Sequence, residues 1–308
     1  MHVVSVINYK GGVGKTTVTA NLAAELAHRG HNILLLDMDP QCSLTFSFFK
    51  PEEWDRDLKE AKTIKAWFDS LNEGAKPIPL SSLIVKPSQV AKRLNGTGEL
   101  DLISSHLGLI NVDLELATEL GGANIQQSKK KFLKVHRLLA DGLTQISDRK
   151  YDVVLIDCPP NFNITTKNAI VASDSILIPA KPDYLSTLGI DYLVRSLNGL
   201  VAEFNEYLGI DDGSKVSRID PNIIGVVFTM IQVNSGEPIN AQKPFIKQTA
   251  QLGIPTFDNY FRENKSIFGE SPQYGIPVVM NAYNNPTHGG VVEEIEAFVT
   301  EFEERIGL

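Results

Sequence analysis

An apolar run, a glycine-rich turn and a helical pattern follow one another without a break near the start of this chain. Val3–Ile7 reads as a buried strand, NYKGGVGKTT at 8–17 makes the turn, and a helix runs from about Lys15 to His28, closed by Gly30. Few folds accept that unit. Gly11, Gly12 and Gly14 let the backbone curl so that its N–H groups point inward, and the helix N-terminus adds a dipole that favours an anion. A plain glycine turn is the alternative, but the strand before and the helix after favour a phosphate loop.

Counting back from Gly14-Lys15-Thr16, the first glycine of the usual G-x-x-x-x-G-K-[ST] pattern falls at Tyr9, so the loop is a variant, K-G-G-V-G-K-T. Residues Gly11, Gly12, Val13, Gly14, Lys15, Thr16 and Thr17 are the expected nucleotide contacts. Lys15 is expected to neutralise the β- and γ-phosphates and Thr16 to place its hydroxyl on Mg²⁺. Lys10 poses a question: from the loop's start it can hardly reach the same phosphate from the same side.

Beyond this unit, short apolar runs alternate with helical patterns, which favours an α/β fold with a doubly wound, mostly parallel sheet covered by helices on both faces. Further strands are predicted at Ile33–Asp37, Leu100–Ser104, Asp152–Asp157, Ser175–Ala180, Ile223–Thr229 and Pro277–Asn281. Helices are predicted at about 107–120, 127–148, 163–173, 184–208, 240–252 and 289–305. The stretch at about 50–99 is the least regular, with Pro51, Pro77, Pro79, Pro87 and Asn95-Gly96. It reads as short helices and loops over one edge of a single domain spanning 1–308, with Trp54 and Trp67 as packing residues.

Two acidic runs support a nucleotide site. ILLLDMDPQ ends a strand with Asp37 and Asp39, two residues apart and so on one side. YDVVLIDCPP ends another with Asp157, the natural Mg²⁺-side acid of a phosphate-loop enzyme. A lone aspartate at a strand end is commonly a cap or turn residue; three of them beside a phosphate loop read differently. Carboxylates at the carboxyl ends of parallel strands are where such a sheet builds its site.

The K-G-G-V-G-K-T-T loop, D-M-D-P-Q and L-I-D-C-P-P together resemble the deviant Walker ATPases, most closely the ParA partition family. The likeness continues through Leu100–Glu115, Asn168–Asp174 and Ile176–Leu193, and is weakest between 50 and 99. The resemblance implies a deviant Walker P-loop fold, ATP and Mg²⁺ as ligands, and a cytoplasmic, nucleoid-associated ATPase. It implies that Lys10 reaches across a nucleotide-sandwich dimer to the partner's phosphates, as an arginine finger does in trans. The alternative for Lys10 is a solvated lysine on the loop's shoulder. By the same resemblance Asp39 orients the attacking water, Asp37 sits behind the Mg²⁺, Asp157 holds it through a water, and Pro159-Pro160 begins a γ-phosphate-sensing segment. The adenine pocket falls near Thr229-Met230 and the 261–264 loop.

Relatives with such a site do different work, and other features discriminate among them. The first strand begins almost at Met1, so no N-terminal helix-turn-helix domain is expected. Cys42 and Cys158 are far apart and form no C-x-x-C pair, which argues against a disulfide framework and against iron–sulfur carriers. No apolar run approaches a membrane span. A MinD-like membrane-cycling regulator, the alternative function, needs a basic amphipathic C-terminal helix. Here GGVVEEIEAFVTEFEERIGL carries six glutamates against Arg305, and its stripe of Val292, Ile295, Phe298, Val299 and Phe302 reads as a face packed on the sheet.

The net charge of -8 excludes a uniformly basic surface but allows a local patch. Lys243 and Lys247 share a helix face. Arg262 and Lys265, in FRENKSIFGESP, match basic positions of the family's DNA-binding loop, although Phe261 replaces its proline. These four are the expected contacts to non-specific DNA. Lys129, Lys130, Lys131, Lys134 and Arg137 form a second cluster that reads chiefly as a solvated helix face, opposite a stripe of Phe132, His136, Leu139 and Leu143. His136 reads as a packed residue. The expected partners are a second copy of the chain, DNA, and a ParB-like or other adaptor protein that stimulates hydrolysis, with no membrane.

Overall fold

The computed structural model describes residues 1–72, 74–146, 150–208, 217–283 and 285–308. The chain runs through β1 (His2–Val6), α1 (Lys15–His28), β2 (Asn32–Asp37), α2 (Ser43–Phe46), α3 (Pro51–Asp57), α4 (Ile64–Ser70) and α5 (Ser88–Leu94). It continues with β3 (Glu99–Ile103), α6 (Leu109–Glu119), α7 (Ile125–His136), α8 (Leu138–Leu143), β4 (Val153–Asp157), α9 (Ile164–Val171), β5 (Ser175–Ala180) and α10 (Tyr184–Leu208). Last come β6 (Asn222–Phe228), a hairpin of β7 (Val233–Asn234) and β8 (Glu237–Pro238), α11 (Lys243–Gln251), α12 (Lys265–Tyr274) and α13 (Pro286–Ile306).

The six main strands form one parallel sheet in the order β3-β2-β4-β1-β5-β6. Side chains two apart face the same way, so the continuous apolar strands feed two cores at once. Leu34 and Leu36 join a cluster with α4 and α6–α10, whereas Ile33 and Leu35 join one with α1–α3, α5 and α13. The α13 stripe belongs to the second core: Val291, Ile295, Phe298, Val299 and Phe302 are buried there, and Val292 partly so. No helix among the described residues is long and apolar enough to cross a membrane.

Pro277–Asn281 is not a strand. Val278–Met280 forms a 3₁₀ turn packed on α1, where the Val279 N–H donates to Asn21 Oδ1 at 3.1 Å. A short apolar run has no period that separates strand from turn, and beyond β6 the strand Pro277–Asn281 would need a place that bridges at Thr256 and Arg262 already occupy. The pattern at 127–148 divides into α7 and α8 at Arg137, whose backbone leaves the helical region; residues 147 and 148 lie outside the described ones, as does residue 73 of the irregular stretch. That stretch folds into α3, α4, a 3₁₀ turn and α5, which bury Trp54, Trp67, Phe68, Leu80, Leu83, Val90 and Leu94; Val85 bridges to Leu102 of β3 and Thr63 to Ser104 just beyond it.

Candidate nucleotide site

The site lies at the carboxyl ends of β1, β2 and β4, where the register sets Asp157 beside both Val6 and Asp37. Gly12 and Gly14 adopt φ of 67° and 82°, a region that penalises any Cβ. Gly14 caps α1, leaving the first N–H groups of that helix facing the loop. Thr229 braces the turn, because its hydroxyl donates to the Val13 carbonyl at 2.8 Å. Asn8 closes the other side: its Oδ1 accepts the Lys10 N–H and its Nδ2 donates to the Pro179 carbonyl.

Lys15 is buried, and its ammonium arches back over the loop toward the carbonyls of Asn8 and Lys10 at 3.3 and 3.4 Å. Burial lowers its pKa, against the opposing pull of Asp157 and Asp39. The Thr16 hydroxyl donates to Asp157 Oδ2 at 2.7 Å, while Asp157 Oδ1 is buried without a partner. Asp37 is fully buried and saturated: Oδ2 accepts the hydroxyl and N–H of Thr45 at 2.6 and 2.8 Å, and Oδ1 accepts the Asp39 N–H at 3.1 Å. Burial pushes both the Asp37 and the Asp157 carboxyl well above the usual carboxylate range, Asp37 further through the charge of Asp157. Such a pocket favours added positive charge.

The groups suit Mg²⁺. This ion takes one or two protein oxygens and fills its octahedron with water and phosphate. Thr16 and the orphaned oxygen of Asp157 supply that much, and among the described residues no three acidic, histidine or cysteine side chains gather as a protein-only metal set. Asp37, with both oxygens occupied, can act only from behind.

Beside the loop, a cavity of about 290 Å³ is lined by Gly14, Thr17, Met230, Phe261, Arg262 and Phe268 among others. It lies where the resemblance puts the base, and includes Met230 in the left-handed region at φ 55°. The cavity also depends on α12, which sequence patterning missed because Gly269 and Pro272 break its helical appearance. Its caps were readable: Asn264 accepts the Ile267 N–H, and Gly275 ends the helix at φ 64°.

Lys10 does not project into open solvent. Its ammonium donates to both oxygens of Asp183, at 2.8 and 2.9 Å, and to Ser186 Oγ at 3.2 Å. The basic candidates are scattered in role. Arg262 forms a bidentate pair with Glu294 at 2.5 to 2.9 Å and walls the cavity beside the loop. Lys243 pairs with Glu237 at 2.5 Å. Lys265 is 90% exposed, with Glu263 only loosely near at 3.7 Å, and Lys247 is exposed with no ion pair among the described residues. In the second cluster Lys129, Lys134 and Arg137 meet Glu206, Glu119 and Asp141, and Lys131 caps the Gly121 carbonyl. His136 is buried, bonded to the Phe132 carbonyl and stacked on its ring.

A phosphate cradle, a buried lysine and a threonine–aspartate pair at the end of a parallel sheet define a P-loop ATPase. A family model described as an AAA domain matches residues 1–210, and the chain belongs to that family, as a member of its ParA-type partition ATPases. It is 27% identical over 287 residues to the chromosome partitioning protein ParA of Caulobacter vibrioides, covering 91% of this chain and 87% of that one. A putative replication protein A of Sinorhizobium fredii is 32% identical over 203 residues, 65% of this chain but only 44% of that longer protein. Among solved structures, apo McdA from Cyanothece superposes with a TM-score of 0.71 over the whole of both chains at 19% identity.

Proposed function

We propose that this protein is a Mg·ATP-dependent, dimerising ATPase that positions a plasmid, chromosome or other cargo. In this reading the ATP-bound dimer binds DNA non-specifically and hydrolyses ATP slowly until an adaptor protein stimulates it. The cradle of residues 11–17 binds the phosphates and Lys15 offsets their charge; Thr16 and Asp157 would hold Mg²⁺, which would supply further neutralisation of the phosphate charge. Asp39, partly exposed at the site's mouth, orients the attacking water. A variant of the structurally similar McdA is solved with ATP, which agrees with that ligand.

The observation that carries the proposal is Lys10. It stands outside the cradle that Lys15 serves, and no phosphate bound in that cradle explains it. Entering the partner's site requires it to exchange Asp183 for a phosphate. Lys10→Ala is expected to keep ATP binding but lose ATP-dependent dimers and turnover, whereas Lys15→Ala weakens ATP binding itself. Light scattering and phosphate release with ATP test this; wild-type dimerisation and turnover in Lys10→Ala would remove the trans role. For DNA, the exposed Lys247 and Lys265 are the strongest candidates, with Lys243 available once it leaves Glu237. A MinD-like membrane cycle is disfavoured because the apolar face of α13 is occupied by the sheet.

A further inference from the structure

Asp39 is held at almost every group it has. Pro40 follows it and restricts its backbone to extended conformations. Its N–H donates to Asp37 Oδ1, and its Oδ1 accepts the Gln41 N–H at 2.9 Å. Its carbonyl accepts two bonds, from the Cys42 N–H at 2.9 Å and from the Ser105 hydroxyl at 2.7 Å. Among the described residues nothing donates to its Oδ2, which is left for a water.

Ser105 is the junction of this arrangement. It is fully buried just after β3, in no recognisable motif. Its hydroxyl holds the Asp39 carbonyl, and its N–H donates to Thr45 Oγ1 at 3.0 Å, whose own hydrogen goes to Asp37. Its carbonyl accepts the indole N–H of Trp54 at 3.2 Å. Trp54 is buried and packed between the Phe46 and His106 rings, each 5.6 Å away. Through one serine and one indole, the irregular stretch at 50–99 therefore reaches the acid at the mouth of the site.

We infer that Ser105 is a positioning residue for Asp39, and that Trp54 braces Ser105 in that task. The inference rests on the reading of Asp39 as the group that orients the attacking water. An Asp39 carboxylate freed to shift by a fraction of an ångström still admits Mg·ATP but aims the water poorly, and misplacement of about 1 Å can cost about a hundredfold in rate.

The test measures Mg·ATP affinity, turnover at saturating Mg·ATP and thermal midpoint in the full chain. Ser105→Ala is expected to lower kcat about tenfold, with Kd unchanged within about twofold and the thermal midpoint preserved. Trp54→Phe, which keeps the packing and removes the N–H, should lower kcat in the same direction by a smaller factor. In an Asp39→Ala background, Ser105→Ala should cost nothing further. Unchanged kcat in Ser105→Ala overturns the inference, as does a loss of affinity and thermal midpoint alongside kcat, or a full additional loss without Asp39. Should Ser105→Ala not fold, Trp54→Phe decides by the same split of kcat from Kd. Wild-type turnover in Asp39→Ala is a separate result: it removes the underlying reading of Asp39, and the inference with it.

Discussion

The phosphate end of the sheet and the surface of α11 and α12 both collect charged residues, and they treat them in opposite ways. At the ends of β1, β2 and β4, Lys15, Asp37 and Asp157 are buried, and a buried charge is tolerated only with fixed partners. Thr16, Thr45 and the loop backbone supply those partners, except at Asp157 Oδ1, the oxygen that suits a bound cation. On α11 and α12 the lysines are exposed, and the carboxylates near them are close in sequence: Glu237 pairs with Lys243, and Glu263 lies loosely beside Lys265. Exposed pairs of that kind are worth roughly 0–1 kcal/mol, so they can be exchanged for a phosphate at little cost. In the proposed reading, one region holds its nucleotide in a single geometry and the other engages and releases DNA.

Removing a group from the built region should therefore produce the largest effect. Asp39→Ala should retain Mg·ATP and the ATP-dependent dimer yet lose about 10²–10⁴-fold in turnover, the range expected when a positioned acid–base group is deleted. Phosphate release beside light scattering measures both properties. Turnover within a few-fold of wild type would mean that another residue positions the water, and the contrast between the regions would lose its strongest case.

That contrast also explains how much could be read from sequence. The positions of the phosphate loop, Asp37, Asp39 and Asp157 at the strand ends were legible because a glycine turn between strand and helix, and an acid closing an apolar run, are local patterns. The five predicted strands other than β1 and Pro277–Asn281 need no special argument, since continuous apolar runs buried on both faces leave their mark directly. Ser105 was not legible: a hydroxyl that bonds a carbonyl 66 residues away has no local pattern. Nor was the Lys10–Asp183 pair, whose partners are 173 residues apart. Pro277–Asn281 misled because apolarity without a period fits a turn packed on a helix as well as a strand. The Arg262–Glu294 pair was not legible either, since sequence shows the charge of Arg262 but not the carboxylate that α13 brings to it.

Arg262 gives the second comparison, and a smaller effect. Counterion release makes DNA affinity fall by about one power of salt for each phosphate contact. Replacing Lys247 and Lys265 with glutamate should abolish salt-sensitive binding of the ATP-bound protein to arbitrary duplex DNA at about 0.1 M salt, without changing ATP affinity. Arg262→Glu should act on the nucleotide instead, because it sets two carboxylates against each other at the wall of the base cavity; ATP affinity should weaken about tenfold, as for one unpaired, partly buried charge. DNA gel shifts across a salt series and nucleotide titration separate the two. An Arg262→Glu protein with intact ATP affinity and lost DNA binding would return Arg262 to the DNA-facing set.

The smallest effect is expected where the two regions meet, at Asp183, the partner of Lys10. Lys10 belongs to the phosphate loop by sequence, yet it is paired as a surface residue, with side chains of Lys10 and Asp183 33% and 42% exposed. Its partner has a second duty: Asp183 Oδ1 accepts the Ser186 N–H at 2.8 Å, as an N-cap of α10. Asp183→Ala would confound the loss of charge with a frayed helix, so Asp183→Asn is the informative change, since asparagine caps equally well. A pair this exposed is worth at most about 1 kcal/mol, and removing its charge lowers the cost of turning Lys10 toward a partner's phosphates. ATP-dependent dimers should then form at a protein concentration about two- to fivefold lower than wild type, with the thermal midpoint unchanged. Weaker dimerisation in Asp183→Asn would show that Asp183 steers Lys10 into the dimer instead of restraining it.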